Sequence, residues 1–335
     1  MNAETRDKAE EPKAQPARLI ARAATWATSA FQGFERSRIL SHLLGLSLAL
    51  VPWRAPAIGQ EKLVETVSAT GSFALAQPGS AAVIQVDPAD WPGVLRAATD
   101  LQTDIAKVTG TRPMLTNSDP PSGSRVIWIG TIGRSRLIEQ CVREKQTDVS
   151  SISGHWEATL IQTIKHPRPG IESALVIAGS DKRGTIYGIY ALSEQMGVSP
   201  WYWWADVPVR HRNPLYVSAG PHVLSSPAVK YRGIFLNDEA PALSGWAQAK
   251  FGGFNHRFYT NVFELILRLR ANFLWPAMWN NSFATDDPLN ARLADEYGIV
   301  MGTSHHEPMM RAWKEWSRAG NGPHSWDYSK NETQL

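Results

Sequence analysis

Tyr231-Arg-Gly-Ile-Phe-Leu-Asn-Asp-Glu239 decides the fold of the second half of this chain. Apolar alternation over 231–236 reads as a short strand, which gives way at once to the polar cluster Asn237, Asp238 and Glu239. The pattern returns twice. Residues 272–275 read as a strand that breaks at Pro276 and leads to Trp279-Asn280-Asn281. Residues 299–302 read as a third, leading to Ser304-His305-His306-Glu307. Between them Val262, Leu265, Ile266 and Leu269 form one helical face, and a second helix is predicted over 289–297. Strand–helix units in series predict parallel strands with helical crossovers, and a (β/α)8 barrel builds its active site where the strands end. Asp238, Glu239, Trp279, Asn280, His305, His306 and Glu307 then share one rim. A barrel takes about 250 residues, so 228–335 hold roughly three of its eight units and leave the barrel incomplete. Such a piece is expected to expose a parallel edge and an apolar face.

Upstream, the period changes more than once. Residues 81–86, 125–130 and 174–179 read as strands. Leu95, Ala98, Leu101, Ile105 and Val108 recur at helical spacing before the stop at Gly110, and Ile186, Ile189, Tyr190 and Met196 do so before Gly197. This is a small α/β domain, predicted over 58–227, which ends in a Trp- and Pro-rich connector at 199–214 that cannot be regular helix. The boundary with the barrel segment falls near 225–228. The fold class is therefore α/β, a small N-terminal domain followed by the start of a TIM barrel.

Residues 1–57 read as a leader. Arg36 and Arg38 precede an apolar stretch over 39–51, and Ala55-Pro56-Ala57 follows, the order of a signal peptide, so the chain is expected to be secreted. The stretch is shorter than the roughly 20 residues a membrane span needs. Its long upstream segment also fits a transit-like amphipathic stretch around Arg18 and Arg22. After residue 57 acidic and basic side chains balance, so nothing asks for a nucleic acid or an anionic membrane as partner. Cys141 stands alone among 335 residues, which excludes an intrachain disulfide and a cysteine metal site.

Several residues carry two readings. His305-His306-Glu307 offers metal-ligand side chains, but adjacent histidines on a strand point to opposite faces and lack the i, i+4 helical spacing. No metal and no cofactor is expected. Asp181-Lys182-Arg183-Gly184 leads into a helix, either as a capping turn with Asp181 as the cap, or with Lys182 and Arg183 reaching a substrate carboxylate. The 14 tryptophans suit sugar faces as well as they suit a core, and Trp201-Tyr-Trp-Trp204 reads first as a seam between domains. Asn280-Asn281-Ser282 and Asn331-Glu332-Thr333 match a glycosylation sequon.

Five motifs in order carry a resemblance. They are Gly179-Ser-Asp-Lys-Arg-Gly-Thr-Ile-Tyr-Gly-Ile-Tyr190, Gly197-Val-Ser-Pro-Trp-Tyr-Trp-Trp-Ala-Asp206, Lys230-Tyr-Arg-Gly-Ile-Phe-Leu-Asn-Asp-Glu-Ala-Pro241, Phe273-Leu-Trp-Pro-Ala-Met-Trp279 and Gly302-Thr-Ser-His-His-Glu-Pro-Met309. Together they resemble glycoside hydrolase family 115. The resemblance implies an inverting exo-enzyme that removes glucuronic or 4-O-methylglucuronic acid linked α-1,2 to xylan, with glucuronoxylan or its oligosaccharides as partner. Inversion needs one carboxylic acid and one carboxylate about 6.5–9.5 Å apart. Asp238 and Glu307 are the catalytic candidates on the rim, with acid and base roles open. Glu239, Asn280, His305, His306 and the stacking faces of Trp275 and Trp279 are the substrate-binding candidates, with Lys182 and Arg183 from the first domain. Arg232 lies on the strand and reads as structural. Two other readings stand beside this one: a fragment that binds xylan without cleaving it, and a hexosaminidase-like exo-glycosidase of the same layout, which release of an N-acetylhexosamine would mark.

Overall fold

The computed structural model describes residues 62–303, 314–315 and 327–333. The leader at 1–57 and the rim candidates His305, His306 and Glu307 lie outside these residues. The chain opens with β1 (Val64–Glu65), β2 (Phe73–Gln77), β3 (Ser80–Ala81), β4 (Val83–Val86), α1 (Pro92–Thr109), β5 (Leu115–Thr116), β6 (Ser124–Thr131) and α2 (Arg136–Arg143). It continues with β7 (Thr159–Lys165), β8 (Ile171–Gly179), α3 (Lys182–Met196), β9 (Leu215–Val217) and β10 (His222–Leu224). The last part holds β11 (Gly233–Phe235), α4 (Ala242–Phe251), α5 (His256–Arg268), β12 (Phe273–Trp275), α6 (Phe283–Asp286), α7 (Leu289–Tyr297), β13 (Val300–Met301) and α8 (Tyr328–Asn331).

Three sheets result. A six-stranded sheet runs in the order β10-β7-β8-β6-β4-β5, with β8, β6, β4 and β5 parallel and β7 and β10 antiparallel on one side. Its central strands are near-continuous apolar runs because both faces are covered. Ile127, Ile129, Leu175 and Ile177 face α1 and α3, while Val126, Trp128, Ala174 and Val176 face Ile138 and Cys141 of α2. Burial pushes the Cys141 thiol up to about 11, so it stays a packed thiol rather than a nucleophile. At the end of β4, Asp87 accepts from Arg136 Nε at 2.9 Å and from the Arg136 N–H at 2.8 Å, which seats α2. That side-chain bond holds the Asp87 carboxyl down at about 2. A four-stranded sheet, β1-β9-β2-β3, lies beside it.

The third sheet is β11-β12-β13, all parallel, with Gly233 opposite Phe273, Phe235 opposite Trp275 and Phe273 opposite Val300. Gly233 has a stated reason. A Cβ there would stand 1.9 Å from the Phe273 carbonyl oxygen, so only glycine lets β11 and β12 approach. The α5 helix covers this sheet with Phe258, Tyr259, Val262, Phe263 and Ile266, each fully buried or nearly so and each contributing about 1.5–3 kcal/mol. Asn255 caps it by accepting from Arg257 and Phe258 N–H groups. On the opposite face, Tyr231 and Phe235 are 54% and 43% exposed.

The expected division at 227 and 228 is a change of sheet rather than a break in packing, and the described residues all fall within one unit, Glu61–Leu335. Helices α1 and α3 pack on the six-stranded sheet with one side and on α5 and α7 with the other, so a single core runs through both sheets. Charge is buried inside this helical layer. Arg268 meets Asp104 at 2.9 Å with the two side chains 3% and 1% exposed, and its Nε donates to Glu264 at 2.8 Å. Nearby, Tyr190 donates to Asp100 at 2.6 Å, and Arg96 pairs with Asp100 while lying 3.8 Å over the Tyr297 ring. Burial raises the Asp100 carboxyl and the Tyr190 phenol above their ordinary values.

Candidate active site

Parallel strands put all their ends on one side, and the ends of β11 and β12 meet there. The β-ladder runs one step past β11, with Leu236 N–H donating to the Trp275 carbonyl at 3.0 Å. Two residues on, Asp238 turns inward and is 1% exposed. Its Oδ1 accepts from Met278 N–H at 2.9 Å, and its Oδ2 accepts from Trp279 N–H at 3.0 Å and Asn281 Nδ2 at 2.8 Å. From the other side, Tyr259 Oη accepts from Ala277 N–H at 3.2 Å. The loop 276–281 is pinned at both flanks.

What that loop presents is Trp279, 45% exposed, and Asn280, exposed and in the left-handed region at φ 55. Trp275, half-buried, lies edge-on to Phe235 at 5.7 Å. Its indole passes close over Gly302, where a Cβ would stand 2.7 Å from Nε1. Glu239 is exposed at the same strand end. So the structure brings together Asp238, Glu239, Trp275, Trp279 and Asn280. A cavity of about 300 Å³ opens beside them, lined in part by Pro276, Phe283, Met301, Gly302 and Thr303, and among the described residues none of the predicted site residues lines it.

Asp238 carries a structural task beside its candidate catalytic one. A carboxylate has about four acceptor positions, and three are filled by groups of the 276–281 loop, which leaves one for a water or a sugar hydroxyl. It holds the loop and keeps that one position open.

Lys182 and Arg183 need a correction of place. Asp181 is the cap that the sequence allows, accepting from Gly184 N–H at 2.8 Å. Lys182 Nζ donates to the Asp295 carbonyl at 2.6 Å, and Arg183 donates to the Gly298 carbonyl at 3.1 Å and to Glu157 at 2.5 Å. Gly298 precedes β13, just as Arg232 and Asn272 precede β11 and β12. Both cations therefore sit at the starts of the parallel strands, the opposite end from Asp238.

Glu157 organises that opposite end, and sequence reasoning missed it. Its side chain is fully buried and accepts from Arg183 Nε, from Asn272 Nδ2 at 2.6 Å and from Arg232 Nη2 at 2.6 Å. Arg232 also donates to the carbonyls of Arg270 and Val229, which confirms its structural reading. The only local sign of Glu157 is a backbone at φ 54, which no sequence pattern reveals. The Trp-rich connector forms the predicted seam: Trp204 donates to the Asn261 carbonyl and packs on Phe258 and Trp246.

Residues 225–335 match the family model for glycosyl hydrolase family 115. The solved structure of BtGH115A, a family 115 4-O-methyl-α-glucuronidase with specificity for decorated arabinogalactans, aligns with a TM-score of 0.66 and 34% identity over 78% of this chain. The chain belongs to glycoside hydrolase family 115. It spans about a third of the length of that family 115 relative, 33%. A family 138 enzyme targeting pectin rhamnogalacturonan II aligns at 14% identity and TM-score 0.37, over 71% of this chain and 26% of that one. A Streptomyces plicatus β-hexosaminidase aligns at 12% identity and TM-score 0.40, over 72% of this chain and 44% of that one. Likeness at that level is too slight to bear on this family 115 chain. Comparison with curated proteins gives no match.

Proposed function

We propose that this chain forms the front part of an inverting glycosidase that releases glucuronic or 4-O-methylglucuronic acid from xylan side chains, with 228–335 as the first units of a (β/α)8 barrel. The observation that carries this reading is the Asp238 carboxylate at the end of β11 fixing the loop that presents Trp279 at the end of β12. An aromatic face beside polar strand ends suits a pyranose ring, whose C–H faces pack on an indole while its hydroxyls find acceptors.

Glu307 is the proposed second carboxylate, with Glu239 at the neighbouring strand end and His305 and His306 donating to sugar hydroxyls or to the uronate. Asp238 contributes position and its one remaining acceptor site. The polymer has a second reading, because BtGH115A is described as specific for decorated arabinogalactans. The proposal takes the leader at 1–57 as a signal peptide and the enzyme as secreted.

The test is uronic acid release from glucuronoxylan and from arabinogalactan, by this chain and by a version extended to the length of its family relative. Release from glucuronoxylan that disappears with Asp238→Asn supports the reading. Release from arabinogalactan alone moves the substrate, and binding without release by either protein leaves a xylan-binding chain as the better account.

A further inference from the structure

The α4 helix is out of keeping with its sequence. Ala-Leu-Ser-Gly-Trp-Ala-Gln-Ala-Lys-Phe is mostly apolar and has no acidic residue, yet Ala247 is its only buried side chain. Trp246 on this helix is 37% exposed, and Trp201 on the connector is 45% exposed. Trp203 lies 6.2 Å from Trp246 and is tilted against Phe251. Lys250 stands over this surface with its Nζ 4.6 Å from the Trp203 ring and 5.3 Å from the Trp246 ring, and it makes no salt bridge among the described residues.

The place of this patch follows from the chain path. Helix α4 begins three residues after Glu239, and Trp246 packs 6.4 Å from Phe258 in the first turn of α5. Since α5 runs back toward Asn272 at the start of β12, its first turn is at the strand ends, on the side of Asp238. The patch flanks the rim.

We propose that Trp246, Trp203 and Lys250 form a saccharide shelf that holds a uronate-bearing pyranose chain beside the catalytic rim. Indole faces take the apolar faces of the sugar rings, and a lysine ammonium without a carboxylate partner among the described residues supplies the complement to a uronate charge. The proposal rests on the glucuronoxylan reading above, and the test separates the two.

The experiment is affinity electrophoresis of the chain through gels carrying glucuronoxylan or xylan stripped of uronate. Trp246→Ala is expected to weaken retention by roughly fivefold in both gels, and Trp246→Phe to keep most of it. Lys250→Gln is expected to weaken retention only with glucuronoxylan, and less so as salt is raised. Retention that survives Trp246→Ala and Lys250→Gln but is lost with Trp279→Ala would overturn the shelf and leave the glucuronidase reading standing. A parent chain not retained in either gel also overturns the shelf, and so does a Trp246→Ala chain that changes from dimer to monomer in gel filtration without changing retention. Thermal unfolding of each variant shows that lost retention is not lost folding.

Discussion

Glu157 and Arg232 meet at 2.6 Å across 75 positions of sequence, tying the loop before β7 to the residue just ahead of β11. The same carboxylate takes Arg183 and Asn272, so three donors converge on one fully buried acceptor. Glu157→Ala is expected to cost about 2–4 kcal/mol, because it strands these donors, and the arginines' partial exposure keeps the loss below that of a fully buried pair. Glu157→Gln should cost less, since it keeps one acceptor. Urea unfolding midpoints measure both, and an Ala variant as stable as the parent would remove Glu157 as the tie.

Asp238 holds the 276–281 loop through two backbone N–H groups and Asn281. With Asp238→Ala, the Met278 and Trp279 amides lose their acceptor, and their hydrogen exchange should speed up by roughly tenfold or more, the equivalent of 1–3 kcal/mol. Exchange in a peptide over 276–281 reads this directly. Unchanged protection would mean that the loop is held by Tyr259 and packing alone.

Gly233→Ala would drive a methyl group into the Phe273 carbonyl, only 1.9 Å from its Cβ position. The backbone cannot rotate away as a side chain can, so β11 must separate from β12, at a cost of about 1–3 kcal/mol or more. Loss of stability without a change in the six-stranded sheet, seen as selective amide exchange over 231–236, is the expected result. A fully stable variant would show that β11 is free to shift.

The Asp87 carboxyl titrates at about 2 in the fold, mainly because the Arg136 side chain donates to it, against an ordinary value of 3.8. A depressed carboxylate stabilises the fold above its unfolded value, so the contribution is whole above pH 3.8 and drains away as pH falls through about 2. Asp87→Asn should flatten the stability profile between these limits. Acid unfolding curves of equal slope for parent and variant would show that other groups carry that window.

Much of this architecture is written locally. Strand ends, the α1 stop at Gly110, the Asp181 cap and the limits of α7 follow from period, capping chemistry and left-handed glycines. The α4 helix escaped because its apolar residues follow no face, and β1 and β9 escaped because two- and three-residue strands make sense only as partners 150 positions apart. The site shows the same divide. Asp238 could be placed at a strand end from sequence, but the groups that define its role are backbone amides of a loop 40 residues on. Lys182 and Arg183 were legible as cations at a helix start, while the strand end they reach is a matter of tertiary path.

The helical layer of α1 and α3 serves two sheets at once, with Arg268 and Asp104 locked inside it. Two rooms that share an inner wall cannot be taken down separately. Removing the segment before 228 would unroof α5 and α7 and leave Arg268, which now meets Asp104 as well, with Glu264 as its one carboxylate partner among the described residues. Modular exchange of the front domain between such enzymes should therefore fail unless the helices of both partners travel together. Access to the rim is left to its loops, since one continuous core gives the two sheets no hinge on which to swing.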